Sequence, residues 1–340
     1  MTAELFYGIA LTMIAGLMAG NCMLPMKFTR SWKWENIWLV FSVVSLVILP
    51  WALGFLLVDH LLEIYRGLRI EKLVFPLLLG AGWGVAQILF GILVNRLGLG
   101  VAYAIIVGLG AVFGTLVPLL IQQSAVTIGH AAYFIFSGVV IMLAGVFFTG
   151  WGGQVRERAS KMAAAVNSSP SKEGYAAAVL LAVVCGIMAP MLNYSFAFGQ
   201  DIAKEAVRLG SSPLYAGYAV WPVGLAGGSV PNIAYCLHLL QKNGTWKEFQ
   251  LAKGDFVWAF LMAVLWMGSM ALYGMSASYL GAFGTSIGWG LFQIFMIMTA
   301  TVSGVLTGEW KRAPLRATVL MGVGLVSLTC ATVLLALGNR

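Results

Sequence analysis

Charge is what this sequence has least of. Asp, Glu, Lys and Arg together make up 9% of its 340 residues, against ~25% in soluble globular chains. So few charges cannot cover a water-facing surface of this size, which excludes a soluble enzyme and a disordered chain alike. Histidine is scarce as well. His60, His130 and His238 stand alone at loops or span ends, and no His, Asp or Glu spacing suits a metal. The four cysteines, Cys22, Cys185, Cys236 and Cys330, sit inside apolar runs without CxxC spacing, and read as small packing residues. A serine-hydrolase elbow is missing too: the nearest string, Gly274-Met275-Ser276-Ala277-Ser278, lacks its second Gly. No enzyme chemistry, cofactor, metal or nucleic-acid partner is expected; the net charge of +8 belongs to membrane topology instead.

What the sequence has in excess is hydrocarbon. Hydrophobic residues make up 60% and mean hydropathy is +0.91. A helix needs ~20 apolar residues to cross a bilayer, and apolar runs cut at charges and turns fall at 5–24, 36–58, 73–95, 99–121, 131–150, 174–199, 214–240, 255–279, 284–307 and 314–337. The expectation is an all-α integral membrane protein with ten transmembrane helices. The first run begins Met-Thr-Ala-Glu, with no Lys or Arg ahead of it, and is expected to be a span rather than a cleaved signal. Small-xxx-small pairs such as Gly16/Gly20, Gly80/Gly84, Gly110/Gly114 and Gly284/Gly288 predict close helix crossings.

Lys and Arg are distributed unevenly. Fourteen of the 20 fall after odd-numbered spans and six on the side of the termini, so the positive-inside rule predicts both termini outside, periplasmic in a bacterium. The longest basic stretch, 151–173, reads as a cytoplasmic linker between a first five-helix repeat, 1–150, and a second, 174–340. An odd number of spans per half inverts the second half against the first. Internal similarity agrees: Trp83, Gly91 and Leu97-Gly98 reappear at Trp266, Gly274 and Leu280-Gly281 in constant register, and Gly16-Leu17-Met18-Ala19 resembles Gly186-Ile187-Met188-Ala189.

No Asp, Glu, Lys or Arg falls in 36–58, 73–95, 97–155, 174–200, 209–241, 256–308 or 317–339. Ionisable groups at membrane depth mark ion and proton pathways, so their absence argues against charged filters, buried counter-ions and proton pumps. Neutral amides and aromatic rings remain. On the expected spans Gln87, Trp266 and Gln293 lie within about one helical turn of the midplane. Trp83 precedes Gln87 by four residues, Trp289 precedes Gln293 by four, and Tyr273 shares a face with Trp266. Asn21, Asn193 and Tyr194 lie nearer the span ends. These nine are the candidate substrate-binding residues, while Asn232, Trp221 and Tyr235 read as interhelical glue and interface anchors. Amides bond hydroxyls in both directions and rings cover the C–H face of a sugar, so a neutral polyol fits them.

The sequence resembles the L-rhamnose–proton symporter family of the drug/metabolite transporter superfamily. The resemblance rests on Pro25-Met26-Lys27, Trp32-Lys33-Trp34-Glu35, Ile48-Leu49-Pro50-Trp51, Gly80-Ala81-Gly82-Trp83-Gly84, Gly91, Leu97-Gly98 and Gly114-Thr115. It continues through Cys185-Gly186, Pro213-Leu214-Tyr215, Asn232 with Cys236, and Glu309-Trp310. It implies ten spans in two inverted halves, alternating access, and sugar uptake across a bacterial cytoplasmic membrane. It also implies a cavity lined chiefly by the first, third, fourth, sixth, eighth and ninth spans. Members of the family carry a His in the first span and another in the ninth. This chain has neither, and Gln87 stands where the family pattern has Asn.

The expectation is therefore a secondary transporter for a neutral monosaccharide, L-rhamnose or a related deoxyhexose by resemblance. The alternatives are a metabolite or drug exporter or an uncoupled facilitator of the same fold, and, from another class, a non-transporting membrane interaction protein. Family membership implies proton symport. Since the interior holds no carboxylate, lysine or midplane His, weakly pH-dependent or uncoupled uptake is expected instead, and the candidate carriers are Glu4, Asp201, Glu205, His238 and Glu309. Glu309, which follows the ninth span, is the favoured proton-coupling candidate; its bland reading is an interface carboxylate paired with Lys311 or Arg312.

Overall fold

The computed structural model of the chain describes residues 3–122, 130–163 and 174–338. Residues 164–173 of the expected linker lie outside the described residues. Among the described residues, ten helical segments are long and apolar enough to cross a membrane: Ala3–Phe28, Trp34–Leu57, Ile70–Val94, Gly100–Ile121, Ala132–Ser160, Tyr175–Arg208, Ala216–Asn243, Asp255–Phe283, Ile287–Leu306 and Leu315–Gly338. The described residues contain no strand. This is an all-α, multi-pass membrane protein, and its spans fall where the apolar runs predict. Consecutive spans alternate in direction, so the described chain ends share one side, called here the termini side. The opposite, basic side carries the connections rich in Lys and Arg.

Two spans are irregular where proline demands it. A prolyl ring has no N–H and collides with the carbonyl four residues back. In the second span the backbone widens into a π turn over Val43–Ile48 just before Pro50, which removes that collision. In the sixth, the helix Tyr175–Met188 stops at Pro190 and restarts as Met191–Phe198. It then turns at Gly199 into a surface helix, Gln200–Arg208, which buries Ile202, Ala203 and Ala206.

Between lipid-facing helices there is no solvent-driven attraction to gain, so packing depends on close approach. The first span packs along the eighth and ninth, and the sixth along the third and fourth. The third packs on the seventh, the eighth on the second, and the fifth and tenth on each other. Glycine permits these crossings. A Cβ on Gly80 would lie 1.8 Å from the Gly224 carbonyl oxygen, and one on Gly227 would lie 1.9 Å from that of Leu77. The third and seventh spans thus meet backbone to backbone. A backbone oxygen cannot swing aside, so Gly80→Ala should cost ~3 kcal/mol or more. Gly91 has nothing within 4 Å of a built Cβ, and Gly91→Ala should be neutral or slightly stabilising. Thermal unfolding in detergent reads both, and equal melting of Gly80→Ala and the parent would contradict the crossing.

Candidate functional site

The middle of the bundle is aromatic. Trp83 on the third span and Trp266 on the eighth stack with centroids 5.5 Å apart and planes 24° apart, and Phe41 of the second span meets Trp266 edge-on at 6.0 Å. Trp83 is buried against the bare backbone of Gly228. Gln87 follows one turn later, half-buried, and Gly91 continues the same face with open space before it. On the ninth span Gln293 is 7% exposed. The side-chain amides of Gln87 and Gln293 make no hydrogen bond to any described residue. Neither amide is among the buried side-chain atoms without a partner, so both reach open space in the bundle, where a ligand can bond them.

Asn193, Tyr273 and Trp289 form a second group, nearer the termini side. Asn193 is fully buried. Its Nδ2 donates to the carbonyls of Gly114 at 3.0 Å and Thr285 at 2.8 Å, and its Oδ1 accepts from Tyr273 Oη at 2.5 Å. One side chain therefore ties the fourth, sixth and eighth spans to the approach of the ninth. It can do so because the break at Pro190 starts a new helix three residues earlier. Trp289 Nε1 donates to the Gly110 carbonyl at 3.2 Å, and its ring meets Tyr273 at 5.6 Å. Phe196 lies flat on Trp221, 4.5 Å away at 10°. These hydrogen-bonding groups are already used, on one another and on the carbonyls of Gly110, Gly114 and Thr285, so in this conformation the cluster is a clasp. Tyr194 is 8% exposed, with its ring 6.1 Å from Phe198.

Asn21 is found at a third place, towards the basic side. Its Oδ1 accepts from Ser303 Oγ at 2.6 Å and its Nδ2 donates to the Leu17 carbonyl at 3.0 Å, joining the first and ninth spans. Just beyond, Glu309 pairs with Lys27 and, at 3.0 Å, with Arg156, whose guanidinium lies 4.9 Å over the Trp310 ring. The partners are thus the ends of the first and fifth spans rather than the neighbouring Lys311 and Arg312. Burial raises the Glu309 carboxyl, but hydrogen bonds and charge from Lys27 and Arg156 outweigh it and hold the group below the ordinary glutamate range.

The nine sequence-predicted residues therefore fall into three layers. Trp83 joins Trp266; Asn193, Tyr273 and Trp289 join one another; Asn21 stands apart. No hydrogen bond or ring contact links Gln87, Gln293 and Trp266 directly.

A sequence model of the L-rhamnose-proton symport protein family matches residues 1–340. The chain belongs to the L-rhamnose-proton symport protein family. Similar proteins include one from Cronobacter sakazakii, 29% identical over 347 residues and 99% of each chain. Another, from Klebsiella pneumoniae, is 28% identical over 340 residues and 97% of each chain. A third, from Escherichia coli O1:K1, is 27% identical over 347 residues and 99% of each chain. Each is named an L-rhamnose-proton symporter.

For a member of the L-rhamnose-proton symport protein family, two further carboxylates matter that the sequence reading left at span borders. Asp255, 2% exposed, accepts the backbone N–H groups of Arg30, Ser31 and Trp32 at 2.9–3.0 Å. Glu35, 5% exposed, accepts from Asn243 Nδ2 at 2.9 Å and Thr245 Oγ1 at 2.8 Å. Both staple loops on the basic side. The signal that could have found them is their place at the first turn of a span, where a helix N-terminus favours a carboxylate. Asn232 is glue, as its sequence context suggests: Trp38 Nε1 donates to it at 3.0 Å, and it donates to the carbonyls of Gly228 and Gly84.

Proposed function

We propose that the chain carries L-rhamnose, or a closely related neutral deoxyhexose, into a bacterial cell together with a proton, by alternating access. One observation carries this reading: two carboxamides, Gln87 and Gln293, are left unpaired in an interior that also holds the Trp83–Trp266 ring pair. Amides supply donors and acceptors to hydroxyls, and ring faces suit C–H surfaces. A charged ligand would find no counter-ion at that depth. Family membership and the names of the relatives favour sugar uptake with a proton over the exporter and over the uncoupled facilitator.

The helix pairings support two inverted halves, 1–150 and 174–340. Exchanging the halves turns the pairing of the first span with the eighth and ninth into that of the sixth with the third and fourth, both of which occur. Charge asymmetry supports a cytoplasmic basic side and periplasmic termini in the inner membrane.

Each layer then has a part. Gln87, Gln293, Trp83 and Trp266 receive the sugar. Asn193, Tyr273 and Trp289 close the path on the termini side, flanked by Tyr194. Asn21 and Glu309 hold the basic side shut, and Glu309 carries the proton. Protonating Glu309 removes the charge that Lys27 and Arg156 share, and their return lowers its affinity for the proton again. Counterflow in proteoliposomes tests the function: protein loaded with unlabelled L-rhamnose should accumulate labelled L-rhamnose transiently. Counterflow with none of the neutral deoxyhexoses would overturn the reading.

A further inference from the structure

On the termini side lies a cavity of about 460 Å³, within the ~300–1,000 Å³ of small-molecule sites. It is framed by the end of the sixth span with its surface helix, the start of the seventh, and the end of the eighth. Its walls are mainly apolar, from Phe196, Val207 and Ala277, with polar groups from Gln200, Ser278 and Lys204. No carboxylate lines it, and its one charged lining group is the exposed Lys204 ammonium, 3.3 Å from Asp201, a carboxylate that also pairs with Lys72 at 2.6 Å. Gln200 spends one amide hydrogen on the Phe196 carbonyl at 2.9 Å, which leaves its Oε1 to accept. The Ser278 hydroxyl holds the Gly274 carbonyl only at 3.5 Å. A mostly apolar wall with one amide and one loosely held hydroxyl has the chemistry of the midplane layer.

The cavity adjoins the clasp through two of its lining residues. Phe196 lines the cavity and stacks on Trp221. Thr285 lines it and gives its carbonyl to Asn193. Behind Phe196, the buried Trp221 Nε1 has no hydrogen-bond partner and faces Gly274, one turn below Ser278. A buried donor left unpaired is costly, and here it lies on the ring stacked directly behind Phe196, which lines the cavity.

We propose that this cavity is a second binding site for the neutral sugar, an antechamber occupied before the clasp opens. The inference rests on the transport reading above and adds a site to it. The test uses the full-length protein in right-side-out vesicles with the exposed Cys330 replaced by Ala and Ser278→Cys as reporter. Val207→Cys, on the facing wall, is the second reporter should the first fail to fold. A membrane-impermeant maleimide is added outside, with L-rhamnose as the probe. Labelling should slow about threefold when the sugar is at twice its dissociation constant, and the protection should persist when Gln87→Ala and Gln293→Ala are combined with the reporter. Labelling unaffected by L-rhamnose at concentrations that saturate uptake would overturn the proposal. So would protection that vanishes with the two Gln substitutions, since it would then report the midplane layer. Counterflow by the parent separates the two ideas: protection without counterflow leaves the antechamber standing and sinks transport, and counterflow without protection does the reverse.

Discussion

Replacing Gln87 or Gln293 by Ala should weaken L-rhamnose binding roughly five- to more than a hundredfold. On the proposed site, each change would remove a hydrogen bond to the sugar and leave a sugar hydroxyl unpaired in a low-dielectric interior, at a cost of ~1–3 kcal/mol. The same variants should lose only the packing of the truncated side chain, because neither amide makes a hydrogen bond to a described residue that folding could lose. That combination separates a ligand group from interhelical glue. Asn232 provides the contrast, since its amide is bonded to Trp38, Gly84 and Gly228; Asn232→Ala should destabilise the protein. Titration calorimetry and thermal unfolding on one preparation read both quantities. Parent-like affinity in both Gln variants would move the sugar site elsewhere.

The second large effect is expected at Glu309. Glu309→Gln keeps the shape but cannot ionise, so Lys27 and Arg156 lose their shared counter-charge. Counterflow, which needs no gradient, should continue. Accumulation driven by a proton gradient should collapse: one coupled proton moving through 100 mV is worth ~2.3 kcal/mol, roughly fiftyfold in accumulation ratio. The sign of the pH dependence follows from the lowered Glu309 carboxyl. Its pairing with Lys27 and Arg156 is intact above the ordinary glutamate range and is lost as pH falls through the depressed value. Acid should therefore loosen the basic side in the parent and leave Glu309→Gln unchanged. A maleimide reporter at Ser303→Cys reads this opening, and gradient-driven accumulation that survives Glu309→Gln would move the proton to another carrier.

The ten spans were legible because lipid imposes a length and a polarity on every one of them. Trp83 and Trp266, singled out in the sequence as apolar-span aromatics in one register, are stacked on each other in the structure. What sequence could not supply was partners. Glu309 has Lys311 and Arg312 beside it in the chain, yet it pairs with Lys27 and Arg156, which only the packing of three spans brings near. Asn193 was visible as a polar residue at depth, but its satisfaction by the carbonyls of Gly114 and Thr285 depends on backbone groups that every sequence carries alike. Apolar periodicity also passes over the break at Pro190, which gives Asn193 its position. Asp255 and Glu35 escaped because a carboxylate at the edge of a span reads as flanking polarity until its four or two hydrogen bonds are seen.

Proton movement accompanying the sugar tests the central claim most directly. Proteoliposomes holding a pH dye inside, with no imposed gradient, receive L-rhamnose outside. The account expects the lumen to acidify on sugar addition in the parent, and to stay unchanged in Glu309→Gln and in the Gln87→Ala, Gln293→Ala pair. Labelled L-rhamnose entering the same vesicles with no acidification would contradict it.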